Sequence, residues 1–479
     1  MRGITFFLLL VSFSSLHSQP VTLHDTTNQY DYIIITIPEF VTACEPFKQH
    51  KETVRDFRTL IVDTTQIFAE FDSSATPQDN IRDFIGYAGT FWQEPRPKFF
   101  LIVGTVKMVT NFPIPHPFPD TIYFYSDYYY SQNIYENDPN TTDFFIGRIP
   151  CKDEAEIYNY FSKVINYESN NTILPWMNNN LLVCEDDISF EYFLLALFLS
   201  ENYIPEFMRS YFISEDSSSV YYGNKDSIYY AVNQRGNSVV WFEGSNGDTF
   251  AISPDYFNLS DLAGLENEDM PFITINLFGQ SSIIDTNTNI TRELLVMNNA
   301  GSMGGMVYVG IVYFGGSITI QRIWAQNLFN SAIQSVGEAF ILDALPSGGF
   351  YNYMKKITNL WADPSLKLKY DVTVDVDKDN ETFPDDYVLY QNYPNPFNPT
   401  TKIKYTIPSV ETRHASSLQM VTLKVYDVLG NEVATLINEE KAAGEYEVEF
   451  NARNLPSAVY FYQLKAGSFV ETKKMILVK

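Results

Sequence analysis

The chain is short of histidine and of cysteine. Its 479 residues hold five histidines, His17, His24, His50, His116 and His414, and three cysteines, Cys44, Cys151 and Cys184. No imidazole lies between His116 and His414. Three cysteines so widely spaced make no disulfide framework and no CxxC metal site, and at most one pair could bond. Basic side chains are scarce as well: 32 Lys and Arg stand against 58 Asp and Glu, a formal charge of -26, and the acids are scattered through every region. Such a surface repels a phosphate backbone or an anionic membrane, which excludes nucleic acid as a partner. Beyond the amino terminus no segment supplies the roughly twenty consecutive apolar residues that a membrane-spanning helix needs.

What the chain does have is apolar and aromatic bulk. Hydrophobic residues make up 45% and aromatic residues 16% of it, which excludes a disordered polymer and leaves room for two or more domains with a large core. Met1-Arg2, an apolar run from Ile4 to Phe13, and then Ser14-Ser15-Leu16-His17-Ser18 have the layout of a secretory signal peptide over residues 1–18. The run is too short to span a bilayer. A soluble, exported mature protein is expected.

Strand and helix signals then alternate. Tyr32 to Ile37 is rich in β-branched residues and reads as a strand, Phe40 to Leu60 as a helix, and Leu60-Ile61-Val62 as a second strand. Thr76-Pro77-Gln78-Asp79 starts a helix: Thr76 can cap, Pro77 suits the first turn, and Asp79 sits at the positive end of the dipole. That helix should run to about Trp92, before a strand from Lys98 to Gly104. The order implies a right-handed parallel sheet. From Asp153, the residues Ile157, Tyr160, Phe161, Val164 and Ile165 recur at helical spacing and form a core stripe.

A second α/β unit follows, with a strand at Leu181 to Cys184, a buried helix at Phe190 to Leu199, and two apolar strands at Val239 to Phe242 and Pro271 to Phe278. Thr291 to Asn298 reads as a helix, Gly305 to Gly310 as a strand, and Gln321 to Leu345 as one long helix. The tyrosine-rich run Tyr123 to Tyr135 reads as a loop able to stack sugars or peptides, or to fill a junction between subdomains. Ligands of open α/β sheets bind at the carboxyl ends of the strands, so the ends near Gly244 and Gly279 are where chemistry would sit.

These segments resemble the gingipain family of cysteine peptidases. The resemblance is carried by the strand 99–104 after Pro95-Arg96-Pro97, by Ser126-Asp127-Tyr128-Tyr129-Tyr130, by Ile146-Gly147-Arg148-Ile149-Pro150, by Val336-Gly337-Glu338-Ala339 and by Ala362-Asp363-Pro364. Thr105 and Ala362 depart from the family's aspartate and glycine. The resemblance implies an α/β, caspase-like head of two parallel-sheet subdomains, residues 19–175 and 176–370. It places the catalytic histidine position on Ser245, within Gly244-Ser245-Asn246, and the nucleophile position on or next to Phe278, beside Gly279.

Both chemical groups are missing there. A thiol peptidase needs a thiolate beside an imidazole that takes and returns its proton, and losing such a group has cost a well-dissected serine peptidase roughly a millionfold in turnover. Ser245 could act only with Glu243 or Asp248 as base, and a carboxyl with pKa near ~4 is poorly matched to an alcohol. A silenced peptidase that binds peptide or protein, or serves in surface structure, is therefore expected. The alternatives are an active endopeptidase with a displaced dyad, for instance through Cys184, and a carbohydrate-binding head. Cys184 ends an apolar strand, so a small buried residue is its plainer role. Arg148 is expected to pair with a buried carboxylate rather than touch substrate.

No cofactor is required by this reading, although the resemblance implies structural calcium. Candidate ligands are Asp186 and Asp187 in an acidic turn, and Asp375, Asp377 and Asp379, spaced as in a calcium loop but lacking its glycine at Asn380. A solvated turn and a plain acidic linker, residues 371–387, are the competing readings. The tail, 388–479, opens with Tyr390-Gln391-Asn392-Tyr393-Pro394-Asn395-Pro396-Phe397-Asn398-Pro399 and continues as short strands, which argues an antiparallel β-sandwich. It resembles the C-terminal sorting domain of the type IX secretion system. That implies the secretion machinery as a partner and release or attachment at the outer surface of the cell.

Overall fold

The computed structural model describes residues 21–72, 76–117, 123–136, 142–184, 191–215, 219, 221–243, 257–276, 290–310, 312, 314–330, 332–346, 348–373, 388–407, 419–428, 430–441, 444–467 and 469–478. In the first half, β1 (Tyr32–Thr36), α1 (Val41–Val54), β2 (Thr59–Asp63), α2 (Thr64–Glu70), α3 (Pro77–Phe91), β3 (Phe99–Val103), β4 (Phe112–Pro115), β5 (Tyr123–Ser126), β6 (Phe145–Ile149) and α4 (Glu154–Ser169) follow one another. The parallel sheet has the order β2-β1-β3-β6. Thr76 caps α3 and Asp153 caps α4, as their side chains accept from Asp79 N and Glu156 N.

Two expectations need correction here. The helix expected from Phe40 to Leu60 stops at Val54, because Thr59 and Leu60 already belong to β2, whose register against β1 starts at Thr59. The tyrosine run is not a free loop: Tyr123–Ser126 forms β5, paired antiparallel with β4, and Tyr128–Ser131 makes a 3-10 turn. Tyr130 is fully buried and its hydroxyl donates to Thr110 O at 2.5 Å, whereas Tyr123 and Tyr125 are exposed. Alternation along β5 accounts for the exposure of Tyr123 and Tyr125 beside buried Ser126, and the 3-10 turn that follows carries Tyr130 into the core.

The second half comprises β7 (Asn179–Cys184), α5 (Glu191–Asn202), β8 (Arg209–Ser214), α6 (Lys225–Tyr229), β9 (Val239–Glu243), β10 (Phe272–Asn276), α7 (Ile290–Val296), β11 (Ser302–Tyr308), α8 (Phe314–Leu328), α9 (Val336–Ala339), α10 (Gly349–Lys356) and β12 (Thr358–Ala362). Its sheet has the order β12-β11-β10-β9-β7-β8, parallel except for β12, which returns antiparallel beside β11. The single long helix expected over 321–345 is in fact two helices. Ser335 accepts from Glu338 N and starts α9 afresh. Gly337 then packs so closely that an added Cβ would lie 2.6 Å from Pro364 O. That close approach requires the chain to turn rather than continue as one cylinder.

One apolar cluster runs through both halves, from Tyr32, Phe47 and Phe161 to Trp241, Trp324 and Trp361, while separate clusters cover the far face of each sheet. The halves meet where β6 abuts β12: a Cβ on Gly147 would lie 2.0 Å from Ala362 O. The tail forms β13 (Val388–Leu389), β14 (Thr400–Ile407), β15 (Gln419–Tyr426), β16 (Glu432–Lys441), β17 (Gly444–Asn451), β18 (Ala458–Ala466) and β19 (Phe469–Leu477), in antiparallel sheets β13-β14-β17 and β16-β15-β18-β19 around its own core. Its opening motif closes that sandwich, because Phe397 N donates to Ile476 O and Val478 N donates to Phe397 O.

Candidate functional site

The carboxyl edge of the second sheet is set by strand register. Cys184 lies opposite Ser214 on one side and opposite Glu243 on the other, and Phe242 lies opposite Asn276. From β7 the chain goes outward to β8 and returns on the other side to β9, so strand order reverses between β7 and β9. That reversal is where open α/β sheets hold ligands.

Buried polar bonds tie β7 to β9 and fix the carboxyl end of β10. Trp241, fully buried in β9, donates through its indole N–H to Asn180 Oδ1 at 2.7 Å. In β10, Thr274 and Asn276 point to the same face, and the Thr274 hydroxyl donates to Asn276 Oδ1 at 2.8 Å. Asn276 Nδ2 donates in turn to the hydroxyl of Thr291, in the first turn of α7. The end of β10 and the start of α7 are thereby tied together across residues 277–289.

The residues that sequence reasoning placed at the heart of the crevice, Ser245 with Gly244 and Asn246, and Phe278 with Gly279, lie outside the described residues, as do Asp248, Asp186, Asp187, Asp375, Asp377 and Asp379. Among the described residues, no three His, Cys, Asp or Glu side chains are grouped to hold a metal ion.

All three thiols are buried. Burial, with Glu45 adding to it, pushes the Cys44 thiol up to about 12, and burial with Glu156 raises Cys151 well above the usual range. A thiol held in that state is a poor nucleophile. Cys184 is fully buried, in keeping with the plain structural role expected of it. The described imidazoles belong elsewhere: His24 stacks on Phe71 at 4.2 Å, His50 lies 2.8 Å from Glu168, and His116 packs edge-on to Tyr353. None of them belongs to β9, β10 or α7.

The motif residues behave as struts. Arg148 is fully buried, and its Nε and NH2 donate to the two carboxylate oxygens of Asp127 at 2.7 and 2.6 Å. Its NH1 donates to Gly104 O and Val109 O, both at 2.9 Å. This fulfils the expectation of a buried carboxylate partner and binds two separate motifs into one rigid unit. Asp363 is similarly enclosed, accepting from Tyr32 Oη at 2.6 Å and pairing with Lys51 Nζ at 2.5 Å. Lys51 also pairs with Glu168 at 2.7 Å, so α1, α4 and the segment after β12 share one buried ionic knot. Burial alone would raise the Glu168 carboxyl, but Lys51, His50 and Arg55 hold it below the usual range.

One residue escaped the sequence reading. Lys163 of α4 is buried, and its ammonium donates to Leu295 O at 2.7 Å, Ala300 O at 2.9 Å and Leu294 O at 3.1 Å, the last carbonyls of α7 and the turn beyond. Burial pushes its pKa down to about 7. A lysine set between Tyr160, Val164 and Tyr167 on an apolar stripe was the available signal.

The parallel sheets of the head, the second carrying the switch point between β7 and β9, define an α/β protein of caspase-like fold. Peptidase family C25 matches residues 25–369, and the secretion system C-terminal sorting domain matches 391–479. The chain belongs to peptidase family C25, the gingipain family, and its tail is a type IX sorting domain, which brings the secretion machinery and the cell surface or extracellular space with it. Among solved structures, the Arg-specific cysteine proteinase gingipain R is similar at 14% identity and TM-score 0.58, over 94% of this chain and 98% of that one. The complex of Porphyromonas gingivalis RgpB pro- and mature domains is similar at 14% identity and TM-score 0.58, over 93% and 100%. At such identity the likeness establishes the fold alone. No curated protein matches the sequence. Among the described residues no helix is long and apolar enough to cross a membrane.

Proposed function

We propose that this gingipain-family protein is exported with its catalytic dyad lost, and that its head holds a peptide or protein at the β9–β10 crevice without cutting it or serves in surface structure. The observation that carries the reading is the absence of any histidine between His116 and His414, the span that contains β9, β10 and the turns after them. With no imidazole there, the family's proton shuttle has no donor from the expected position. The burial of all three thiols supports the same reading against a displaced dyad built on Cys184. The boundaries belong to the proposal: residues 1–18 as a signal peptide, 371–387 as a linker, and no cofactor requirement.

The test is incubation of the purified protein with a fluorogenic general protein substrate, with and without a thiol alkylator. Cleavage at the level of a blank is expected in both. Cleavage that the alkylator abolishes overturns the proposal. A sugar-binding reading has one observation in its favour, the exposure of Tyr123 and Tyr125 on β5; glycan binding lost in Tyr125→Ala would favour it.

A further inference from the structure

The hairpin of β4 and β5 is closed on one edge and open on the other. Its register sets Tyr123 opposite Pro115 and Tyr125 opposite Pro113, and Ile114 opposite Phe124 and Phe112 opposite Ser126 alternate with them. Opposed residues of an antiparallel pair alternate between those that exchange both backbone bonds and those that exchange none. A proline has no N–H to exchange. Both proline pairs are therefore of the second kind, and the strands are laced through Ile114–Phe124 and Phe112–Ser126. It follows that the N–H and C=O of Tyr123 and Tyr125 point away from β4, along the outer edge of β5.

That outer edge is free. Among the described residues neither Tyr123 nor Tyr125 has a hydrogen-bond partner for its backbone, and β5 pairs with no strand but β4. Both residues are exposed, at 55% and 50%. On the far side of β4, exposed Pro113 and Pro115 offer no N–H, a common device for closing an edge to further strands. The other face of the hairpin is pinned to the head. Ile114 is buried, the Ser126 hydroxyl donates to Asn359 Oδ1 at 2.7 Å, and Phe124 packs over Gly310, past the end of β11, where an added Cβ would lie 3.0 Å from its ring. An incoming strand thus meets an edge whose ordering is already complete.

We propose that the outer edge of β5 takes up an extended basic peptide as an added antiparallel strand. Two alternate residues of the peptide exchange N–H and C=O with Tyr123 and Tyr125, and because directly opposed residues share a face, their side chains lie beside the two exposed rings. Arginine suits both places. A guanidinium stacks on a tyrosine ring, and the net charge of -26 attracts a basic segment and repels an acidic one. The site lies on the first half of the head and needs neither an imidazole nor a thiol, so it stands whether or not the strand-end crevice cleaves.

The test uses the full mature chain and fluorophore-labelled acetyl-Val-Arg-Val-Arg-Val-amide, with binding read by anisotropy. The peptide is expected to bind, and its counterpart with Glu in place of Arg at least about tenfold more weakly. N-methylation of the arginine amides removes the N–H groups that face the edge and is expected to weaken binding about tenfold, whereas N-methylation of the valine amides, which face away, leaves it within about twofold. Tyr125→Pro closes the edge as the prolines close β4, without touching the bonds that lace the hairpin, and is expected to abolish binding with the unfolding temperature retained. Tyr125→Val removes the same ring but keeps the N–H, and is expected to retain part of the binding. Should the proline variant fail to fold, the two N-methylated peptides decide. No binding by the wild type, equal effects of the two N-methylations, equal loss in folded Tyr125→Pro and Tyr125→Val, or a dimer of the chain that holds the edge and excludes the peptide overturns the proposal.

Discussion

The Lys163 ammonium of α4 donates to the Leu295 carbonyl of α7 at 2.7 Å, so the first half of the head closes off the helix that follows the site strand of the second. A cation at a helix carboxyl end satisfies carbonyls that have no partner within the helix and complements the dipole. Here that cation is fully desolvated, and its pKa falls from 10.5 to about 7.

Burial of Lys163 makes stability depend on pH. The unfolded chain holds the Lys163 proton up to about 10.5 while the folded chain releases it near 7. Between those values the unfolded state binds more protons, so this residue's contribution makes stability rise with pH across the window. Urea midpoints measured at pH 7 and pH 9 should rise more, or fall less, with pH in the wild type than in Lys163→Met. Equal pH slopes in the two proteins would refute the assignment.

The Arg148–Asp127 pair should behave as a buried ion pair rather than as a substrate contact. Asp127→Ala leaves the guanidinium buried with only two carbonyls, and is expected to cost about 3–5 kcal/mol. Chemical denaturation measures it. A loss below about 1 kcal/mol, the range of exposed pairs, would contradict the buried geometry.

Gly147 should tolerate nothing larger. A Cβ there meets the Ala362 carbonyl at 2.0 Å, backbone against backbone, with Pro364 Cδ at 2.8 Å. Gly147→Ala must push β6 and β12 apart, and a loss at or above the ~1–3 kcal/mol common for overpacking is expected. Thermal unfolding of the variant, if unchanged from the wild type, would show that the two halves can separate freely.

Thiol reactivity gives an independent check on the silent-dyad proposal. Native protein should leave Cys44, Cys151 and Cys184 unmodified by a chromogenic disulfide reagent over the time in which all three react in denaturant, because burial disfavours the Cys44 and Cys151 thiolates and encloses Cys184. Rapid reaction of one equivalent in the native state would reveal an accessible thiol and reopen the displaced-dyad reading.

Removal of the tail at residue 388 should leave the head's unfolding transition in place, since β13 to β19 enclose a core of their own. The same truncation should abolish appearance at the cell surface or in the medium, as cell fractionation would show.

Much of this was legible in the residues themselves. Period-two and period-3.6 patterns located most strands and helices, because burying one face of an element writes a local signature that needs no partner to be read. Thr76 and Asp153 marked helix starts for the same local reason. The histidine and cysteine positions, which the silent-dyad proposal rests on, needed no coordinates to be read. Tertiary structure alone decided the rest, namely that Gly147, Gly337 and Asp363 lie where the halves meet, that Asp127 is the carboxylate Arg148 finds, that the expected 321–345 helix breaks at Ser335, that β12 runs antiparallel, and that Lys163 is buried against distant backbone. Each depends on residues tens to hundreds of positions apart being brought within van der Waals or hydrogen-bond reach. Local pattern carries no record of which distant group will arrive, so only packing could reveal it.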